Sequence, residues 1–498
     1  MSKSLTDKTV SSLNWNFVSN YSNTVSTIIV GIILARLLQP KDFGMVGMVT
    51  IFIGLADLFV TLGMGQAIIK TKNLNERHIR VATTVTILSS VLIFVVFYFF
   101  AAFVADFYGI EELTDILRAL SILFIIKGVN TVSYAQLQKK LEFKTITIIA
   151  IITNLSYGVV SVSFAFLGYG VWSLVFGRLV SNIISMILTT RKYPVNVKPL
   201  LAKSEVKELA GFGSGISLSR ILLYASSNID YLIIGKLVNA NALGLYTKSF
   251  NLMTNSIDKV SGGMFNVLFP AFSAVQDEKD RLKRAYLRAV KTAAFFIFPV
   301  LAFMMVGGKY VILGLYGVEW QGAVLTFQIL AFAGILKATL MFSGSIAHAT
   351  GRVFIESSQQ FVYLILLGVG AVIGVNYGIE GVAGAVVFAL GWKFFAQSHL
   401  ALKIVHADWK EFFITLLPAI FNLLLMGTLT LISFFLIESV LQDLGYETKL
   451  ILLILFTIPL FIMSVIFSPK SIKGDTLNWV INKYQKYIPK KIISIVKN

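Results

Sequence analysis

The sequence predicts an all-α polytopic membrane protein with about fourteen transmembrane helices, each long enough to cross a hydrocarbon core. The first observation is composition: 56% of the 498 residues are hydrophobic and the mean hydropathy is +0.79, which excludes an ordinary soluble domain. The second is the recurrence of apolar stretches of about 20 residues or more. The third is charge, because Lys and Arg concentrate in every second connector, as expected of loops that stay in the cytoplasm.

The predicted spans, taken in order, give this count. Their approximate bounds are 12–38, 43–69, 81–105, 114–137, 145–168, 171–190, 206–237, 242–273, 285–307, 320–347, 354–376, 380–402, 411–437 and 448–468. An even count places both termini on one side, and the basic connectors make that side cytoplasmic. The net charge of +18 follows from this pattern and from attraction to anionic lipid. We therefore expect the lipid bilayer, and no nucleic acid, as a partner.

Two segments near the ends of the first and seventh spans indicate an internal repeat. Ile33–Gly44 and Ile233–Gly244 align without a gap, and both begin with Ile, end with Gly and share a central Leu. We therefore expect two six-helix lobes related by a pseudo-twofold axis along the membrane normal. A chance match between apolar helices is the alternative. The expected domains are an N-terminal lobe (1–203), a C-terminal lobe (204–405), two further helices (406–468) and a basic amphipathic cytoplasmic tail (469–498).

Several spans carry polar side chains at helical spacing. Such faces should turn toward protein or a wet cavity, because each uncompensated charge at mid-membrane costs about 2.5–3.5 kcal/mol. Basic residues outnumber acidic ones in the spans, so we expect a hydrated cationic cavity that accepts an anionic substrate. The predicted basic residues of this cavity are Lys127, Arg220, Lys337, Lys393, Lys259 and Arg178. The predicted polar residues, which could also couple transport to an ion, are Asn16, Asn20, Asn23, Asp57, Asp230, Asp258 and Asn255.

These ionisable residues also have structural interpretations, which the sequence leaves open. Arg178 could extend toward the membrane surface or form an ion pair. Asp57 and Asp230 could be structural partners of basic neighbours instead of proton carriers. A coupling ion, H⁺ or Na⁺, therefore stays an open alternative.

No motif for catalysis or for a cofactor stands out. The chain has no Cys, which excludes disulfides and thiolate metal sites. It carries no Gly–Lys phosphate loop, no metal-ligand cluster and no nucleophile motif. The outer connectors are too short for a large catalytic loop. We therefore predict that the protein is not an enzyme, needs no cofactor and holds no metal centre.

Several segments carry a family resemblance. They are ARLLQPKDFG (35–44), LGMGQAII (62–69), SYAQLQKKLEFKTI (133–146), GYGVWSLV (168–175), NIDYLIIGKLVNANALGLYTKSFNLM (228–253) and VLFPAFSAVQDEKDRLKRAY (267–286). Together they resemble Wzx-type polysaccharide and O-antigen flippases, in the WzxC-like branch of the multidrug/oligosaccharidyl-lipid/polysaccharide exporter superfamily. The combination is specific to the branch, whereas no single segment is.

The resemblance implies a flippase with two six-helix lobes around a cationic cavity. Such proteins move undecaprenyl-pyrophosphate-linked oligosaccharide from the inner to the outer leaflet of the bacterial cytoplasmic membrane for surface polysaccharide synthesis. The implied partners are that lipid-linked oligosaccharide and polysaccharide polymerase machinery. A peptidoglycan lipid-precursor flippase, a polysaccharide polymerase or ligase, and a cation-coupled drug exporter remain alternatives. The last two predict a large outer loop and an acidic cavity respectively.

Overall fold

The structure, a computed structural model, describes residues 5–61, 63–195, 198–202, 205 and 218–467. Side chains are described for the same residues except 5–14, 16–18, 20–21, 218–219, 259–271 and 467. The predicted amphipathic tail, 469–498, therefore lies outside the described residues. Within the described ranges all regular secondary structure is helical, as the sequence predicts.

The chain divides into two compact units, Met1–Gly244 (unit 1) and Leu245–Asn498 (unit 2). Unit 1 contains α1 (Leu5–Leu37), α2 (Pro40–Val60), α3 (Met64–Lys70), α4 (Glu76–Tyr108), α5 (Leu113–Lys139), α6 (Phe143–Phe166), α7 (Val171–Lys192), α8 (Leu218–Ser226), α9 (Ile229–Leu237) and the start of α10 (Ala240–Ala274). Unit 2 continues with α11 (Lys279–Tyr316), α12 (Val324–Ala349), α13 (Val353–Gly374), α14 (Gly378–Val405), α15 (Trp409–Val440) and α16 (Tyr446–Phe467). The unit boundary lies within α10, and the lobe bounds at 203 and 405 stay a prediction.

Helix ends are set by local capping chemistry. At the start of α2, the Gln39 backbone N–H donates to Asp42 Oδ2 at 2.9 Å, and Pro40 occupies the first turn, where its missing N–H costs nothing. Asn75 caps α4 by accepting the His78 backbone N–H at 3.0 Å. These contacts satisfy backbone groups that have no partner within the helix.

Ten stretches of the described chain are long and apolar enough to cross a membrane, with Val353–Val405 counted as one. The helix α1 contributes only a shorter apolar stretch, Ser22–Leu37. Large apolar side chains such as Phe99 and Phe435 are exposed on these helices, as expected for surfaces that contact lipid. The chain is thus a multi-pass membrane protein, and the total of about fourteen spans stays a prediction.

The packing order of four helices recurs in the two units. In unit 1, α4 packs on α5, α5 on α7, and α6 on α7. In unit 2, α11 packs on α12, α12 on α14, and α13 on α14. Helices α15 and α16 then pack on α11. This recurrence supports the repeat that the sequence indicates.

The ends of the aligned segments meet in a reciprocal contact within unit 1. A Cβ on Gly44 would lie 1.7 Å from the Ala240 carbonyl oxygen, and a Cβ on Gly244 would lie 1.8 Å from the Pro40 carbonyl oxygen. Each glycine therefore faces the residue four positions before the other, so the two contacts are equivalent under the repeat. Only glycine permits backbones to approach this closely.

Candidate functional site

In unit 1, the intramembrane lysine Lys127 forms an ion pair with Asp57. Lys127 lies on α5 and Asp57 on α2, with 2.8 Å between Nζ and Oδ2. Their side chains are 43% and 35% exposed, so neither is fully buried among the helices. Pairing lowers the cost of holding either charge inside a membrane helix. The contact fits the interpretation of Asp57 as a structural partner.

The helix α2 carries further polar contacts beside this pair. Thr50 Oγ1 accepts a hydrogen bond from Arg178 Nη1 at 3.0 Å. Tyr224 Oη donates to the Ile51 carbonyl oxygen at 2.5 Å. Gly54 makes room for this tyrosine, because a Cβ on Gly54 would lie 2.4 Å from Tyr224 Oη. The helices α7 and α8 therefore meet α2 along its polar face.

A separate amide pair joins α1 and α6. Asn154 Nδ2 donates to Asn23 Oδ1 at 2.6 Å, and Asn23 Nδ2 donates to Ser19 Oγ at 3.5 Å. The pair lines an open groove of about 550 Å³ whose other walls include Val25 and Leu155. Amide hydrogen bonds of this kind hold membrane helices together. Asn23 therefore lies in a different contact from the Lys127–Asp57 pair.

In unit 2, side chains of α13 and α14 form two parallel contacts, one helical turn apart. Lys393 Nζ donates to Gln360 Oε1 at 2.5 Å, and Gln397 Nε2 donates to Glu356 Oε1 at 3.4 Å. His348, near the end of α12, places Nε2 3.7 Å from Glu356 Oε2. The lysine and the carboxylate therefore each contact a neutral amide instead of each other. We call these five residues the unit 2 cluster.

Two aromatic rings lie beside the lysines of this unit. Lys393 Nζ is 4.9 Å from the centre of the Tyr363 ring, and Lys337 Nζ is 5.5 Å from that of Phe250. Such cation–π contacts stabilise an ammonium group by about 0.5–2 kcal/mol. The charges of Glu356 and Lys337 both act on Lys393, so Lys337 and Lys393 form one electrostatic group.

The other predicted residues are dispersed. Arg220 is exposed on α8, and Asn255 and Asp258 are exposed on α10. Asp230 on α9 is 2% exposed, and its Oδ1 accepts the Tyr231 backbone N–H at 3.0 Å. The side chains of Asn16, Asn20 and Lys259 lie outside the described residues. A single cavity that unites all these groups therefore stays a prediction.

Sequence reasoning missed the carboxylate and the amides of the unit 2 cluster. Glu356 and Gln360 are four residues apart on α13, and Lys393 and Gln397 are four residues apart on α14. This spacing places each pair on one helix face. The signal was present in the sequence, but Glu356 lies in the first turn of its span and was not counted as interior. Within the part of the chain described, no group of three His, Asp or Glu could hold a metal ion.

A polar cluster outside the spans joins two connectors of unit 1. Glu142 accepts a hydrogen bond from the Tyr193 hydroxyl, and Lys192 Nζ lies 3.6 Å from Glu142 Oε2. Burial raises the pKa of Glu142, but the hydrogen bonds from Tyr193 and Thr145 and the charge of Lys192 outweigh it, so this pKa lies below its usual value. Burial and the adjacent carboxylate raise the pKa of Tyr193 to about 12. The cluster fixes the end of α7 to the loop before α6.

Comparison with known proteins gives a family match and several relatives. The family described as "Polysaccharide biosynthesis protein" matches residues 33–325. A Klebsiella pneumoniae "Uncharacterized membrane protein in cps region" is 27% identical over 73% of this chain and 76% of its own length. "Teichuronic acid biosynthesis protein TuaB" of Bacillus subtilis is 27% identical over 75% and 78% of the two chains. "Lipopolysaccharide biosynthesis protein WzxC" of Escherichia coli is 24% identical over 75% and 78%. These matches confirm the resemblance that the sequence segments indicate.

Solved structures share the fold. "Lipid II flippase MurJ" in an inward closed conformation aligns with a TM-score of 0.70 and 14% identity, over 91% of this chain and 99% of that one. A multidrug resistance MATE family transporter in an inward-facing conformation aligns with a TM-score of 0.61 and 18% identity, over 77% and 94%. At these identities the likeness shows the polytopic transporter fold alone.

Proposed function

Because the chain belongs to the polysaccharide biosynthesis protein family, we propose that it is a flippase for lipid-linked oligosaccharide. The substrate is undecaprenyl-pyrophosphate-linked oligosaccharide, and it moves from the inner to the outer leaflet of the bacterial cytoplasmic membrane for surface polysaccharide synthesis. Both termini lie in the cytoplasm. Polysaccharide polymerase machinery takes up the product. The protein moves its substrate without chemical change, so it is not an enzyme.

The arrangement of Lys393 carries this proposal. Its ammonium lies inside a membrane helix, and its contacts are the Gln360 amide and the Tyr363 ring. An ammonium has three N–H donors, so at least one of them is available to an incoming acceptor. No carboxylate in the described chain pairs with it directly, and a negatively charged head group would reduce the cost of this charge. Pyrophosphate oxygens are suitable acceptors.

The other predicted site residues also have roles in binding the head group. Lys337, Lys393, Arg178 and Arg220 contact phosphate, with Lys127 and Lys259 in support. Asn16, Asn20, Asn23 and Asn255 hydrogen-bond to sugar hydroxyls. Asp57, Asp230 and Asp258 contact sugars or carry a coupling ion, H⁺ or Na⁺. The lipid tail stays in the bilayer, at a lateral opening.

Alternating access moves the head group between the leaflets. The membrane potential assists this movement, because an inside-negative potential drives an anion outward by about 2.3 kcal/mol per charge per 100 mV. A pyrophosphate with about two charges gains roughly twice that amount. Export can therefore proceed without ion coupling.

Reconstitution tests the proposal directly. Vesicles with purified protein receive a fluorescent undecaprenyl-pyrophosphate oligosaccharide, and a membrane-impermeant quencher reports which leaflet holds it. We expect the lipid to change leaflets faster than in protein-free vesicles. An inside-negative potential should accelerate its outward movement further. Equal movement in both preparations would contradict flippase activity.

The main rival is a peptidoglycan lipid-precursor flippase, because the Lipid II flippase shares the fold. The same vesicles loaded with Lipid II separate the two. Cells that lack the protein give a second criterion: we expect surface polysaccharide to fall while peptidoglycan synthesis continues. Faster movement of Lipid II, together with arrested peptidoglycan synthesis, would favour the rival.

A further inference from the structure

Glu356 differs from the acidic residues that the sequence singled out, because a histidine lies beside it. Its side chain is 19% exposed on α13, and one carboxylate oxygen accepts the Gln397 amide while the other faces His348. Histidine is the side chain whose ordinary pKa lies closest to neutrality. A histidine and a carboxylate in contact can share a proton whose uptake changes the local charge by one unit.

The composition of the cluster favours a proton over a metal ion. Na⁺, like other hard cations, needs several oxygen ligands. Here Gln397 presents its N–H group, and not its oxygen, to the Glu356 carboxylate. The other side chain at this carboxylate is the imidazole of His348. In the described chain no group of three His, Asp or Glu converges on one point.

Protonation of the Glu356–His348 pair would change the electrostatic environment of Lys393. Glu356 lies one turn from Gln360, which holds Lys393, and the charge of Glu356 acts on Lys393. With the carboxylate charged and His348 neutral, the positive charge of Lys393 is partly offset. After a proton is bound, this offset is lost. Any anion beside Lys393 is then held more strongly, and by linkage that anion also strengthens proton binding.

We propose that Glu356 and His348 together bind one exchangeable proton, and that this proton raises the affinity of unit 2 for the anionic head group of the substrate. The first half stands on the geometry of the unit 2 cluster, whereas the second half rests on the proposed function. This site is distinct from Asp57, Asp230 and Asp258, the acids that the sequence offers for ion coupling.

The ionisable groups around the pair come from each element that packs on α13. Near Glu356 they include Lys337 and His348 from α12, Arg352 from the loop before α13, Tyr363 from α13 itself, and Lys393, His399 and Lys403 from α14. Glu356 is the carboxylate among these groups, so its substitution isolates the proposed effect.

The first experiment follows His348 without any lipid. The chain contains four histidines, so ¹³C-labelled histidine gives few signals, and His348→Gln assigns the one from His348. We expect the pH dependence of this signal to differ between wild type and Glu356→Gln, because the substitution removes the carboxylate that faces His348. The matched control, Glu380→Gln, removes a carboxylate at the opposite end of α14 and should leave the titration unchanged. An identical titration in wild type and Glu356→Gln would overturn the proton site.

A further measurement distinguishes a proton from Na⁺ as the ion bound at Glu356. The titration is repeated with NaCl replaced by choline chloride at the same ionic strength. The same titration in both salts supports a proton site. A titration that Na⁺ moves to lower pH would overturn the assignment, because Na⁺ would then compete at Glu356.

The second experiment measures binding of undecaprenyl pyrophosphate, without sugar, to purified protein at pH 5.5 and pH 8. Phosphate itself titrates in this range, so the result is the difference between proteins. We expect Glu356→Gln to bind about tenfold more tightly than wild type at pH 8, since a nearby negative charge is removed. At pH 5.5 the two proteins should bind alike.

The outcomes separate the two claims. If the His348 signal responds to Glu356→Gln as expected and the lipid does not bind to any variant, the proposed function fails and the proton site stands. If the lipid binds and Glu356→Gln responds to pH as wild type does, the coupling between proton and anion is wrong.

Discussion

Lys127 of unit 1 and Lys393 of unit 2 occupy comparable positions on their helices. Their ammonium groups nevertheless have different partners. Each lies about three turns before the end of its helix, α5 or α14. Lys127 meets a carboxylate at 2.8 Å, whereas Lys393 meets a neutral amide at 2.5 Å. The carboxylate of unit 2 lies one turn away and contacts Gln397.

This difference separates two uses of a membrane lysine. A direct ion pair offsets the cost of burial but leaves little net charge for a ligand. An amide partner fixes the position of the ammonium and leaves its charge in place. We therefore infer that the paired Lys127 offers a ligand little net charge, whereas Lys393 keeps its own.

The close backbone contact at Gly44, which is equivalent to that at Gly244 under the repeat, can be disrupted by a single substitution. We expect Gly44→Ala to lower the free energy of unfolding by about 3 kcal/mol, since the new methyl group would meet a backbone carbonyl at 1.7 Å. Thermal unfolding in detergent measures the change. The control, Gly384→Ala on α14, adds a methyl group with nothing within 4 Å and should be neutral or stabilising. Equal stability of the two variants would contradict the close backbone contact.

Loss of the unit 2 charge is the direct test of the comparison. We expect Lys393→Gln to weaken binding of undecaprenyl pyrophosphate about ten- to a hundredfold, because a charged hydrogen bond to phosphate is lost. Lys403→Gln, at an exposed position on the same helix, removes the same charge outside the cluster and should bind normally. Equal binding by the two variants would remove Lys393 from the site.

The ion pair of unit 1 can be converted to the arrangement of unit 2. Asp57→Asn leaves Lys127 beside an amide, so we expect a loss of about 1 kcal/mol in stability, modest because both side chains are partly exposed. The double variant Asp57→Asn/Lys127→Gln should recover part of that loss, and the four proteins form a double-mutant cycle. A coupling energy near zero would show that the pair has no stabilising role.

The smallest expected effect concerns the connectors of unit 1. Tyr193→Phe removes the hydrogen bond to Glu142 and should cost about 1 kcal/mol or less at neutral pH. The lowered pKa of Glu142 means that its stabilising contribution is present above the ordinary Glu pKa and is lost as the pH falls through the lowered value. The stability difference between wild type and Tyr193→Phe should therefore shrink on acidification. A constant difference would exclude Glu142 as the relevant partner.

The amino-acid sequence by itself determined the class of this protein. Apolar length, the distribution of basic residues and a set of family segments were sufficient for a helical membrane protein and for its family, because these signals are local and additive along the chain. The spacing of polar residues also predicted that several helices carry a polar face, and α2 has such a face in the structure.

Only the tertiary structure decided which charges are neutralised. Helical periodicity tells which residues share a face, but it does not tell which helix that face meets. Lys127 and Asp57 are distant in sequence, and only the packing of α5 on α2 joins them. Likewise, Gln360 holds Lys393 and His348 faces Glu356 only because α13 packs between neighbours that present those side chains. Net charge at a site is a property of such contacts, so composition alone could not give it.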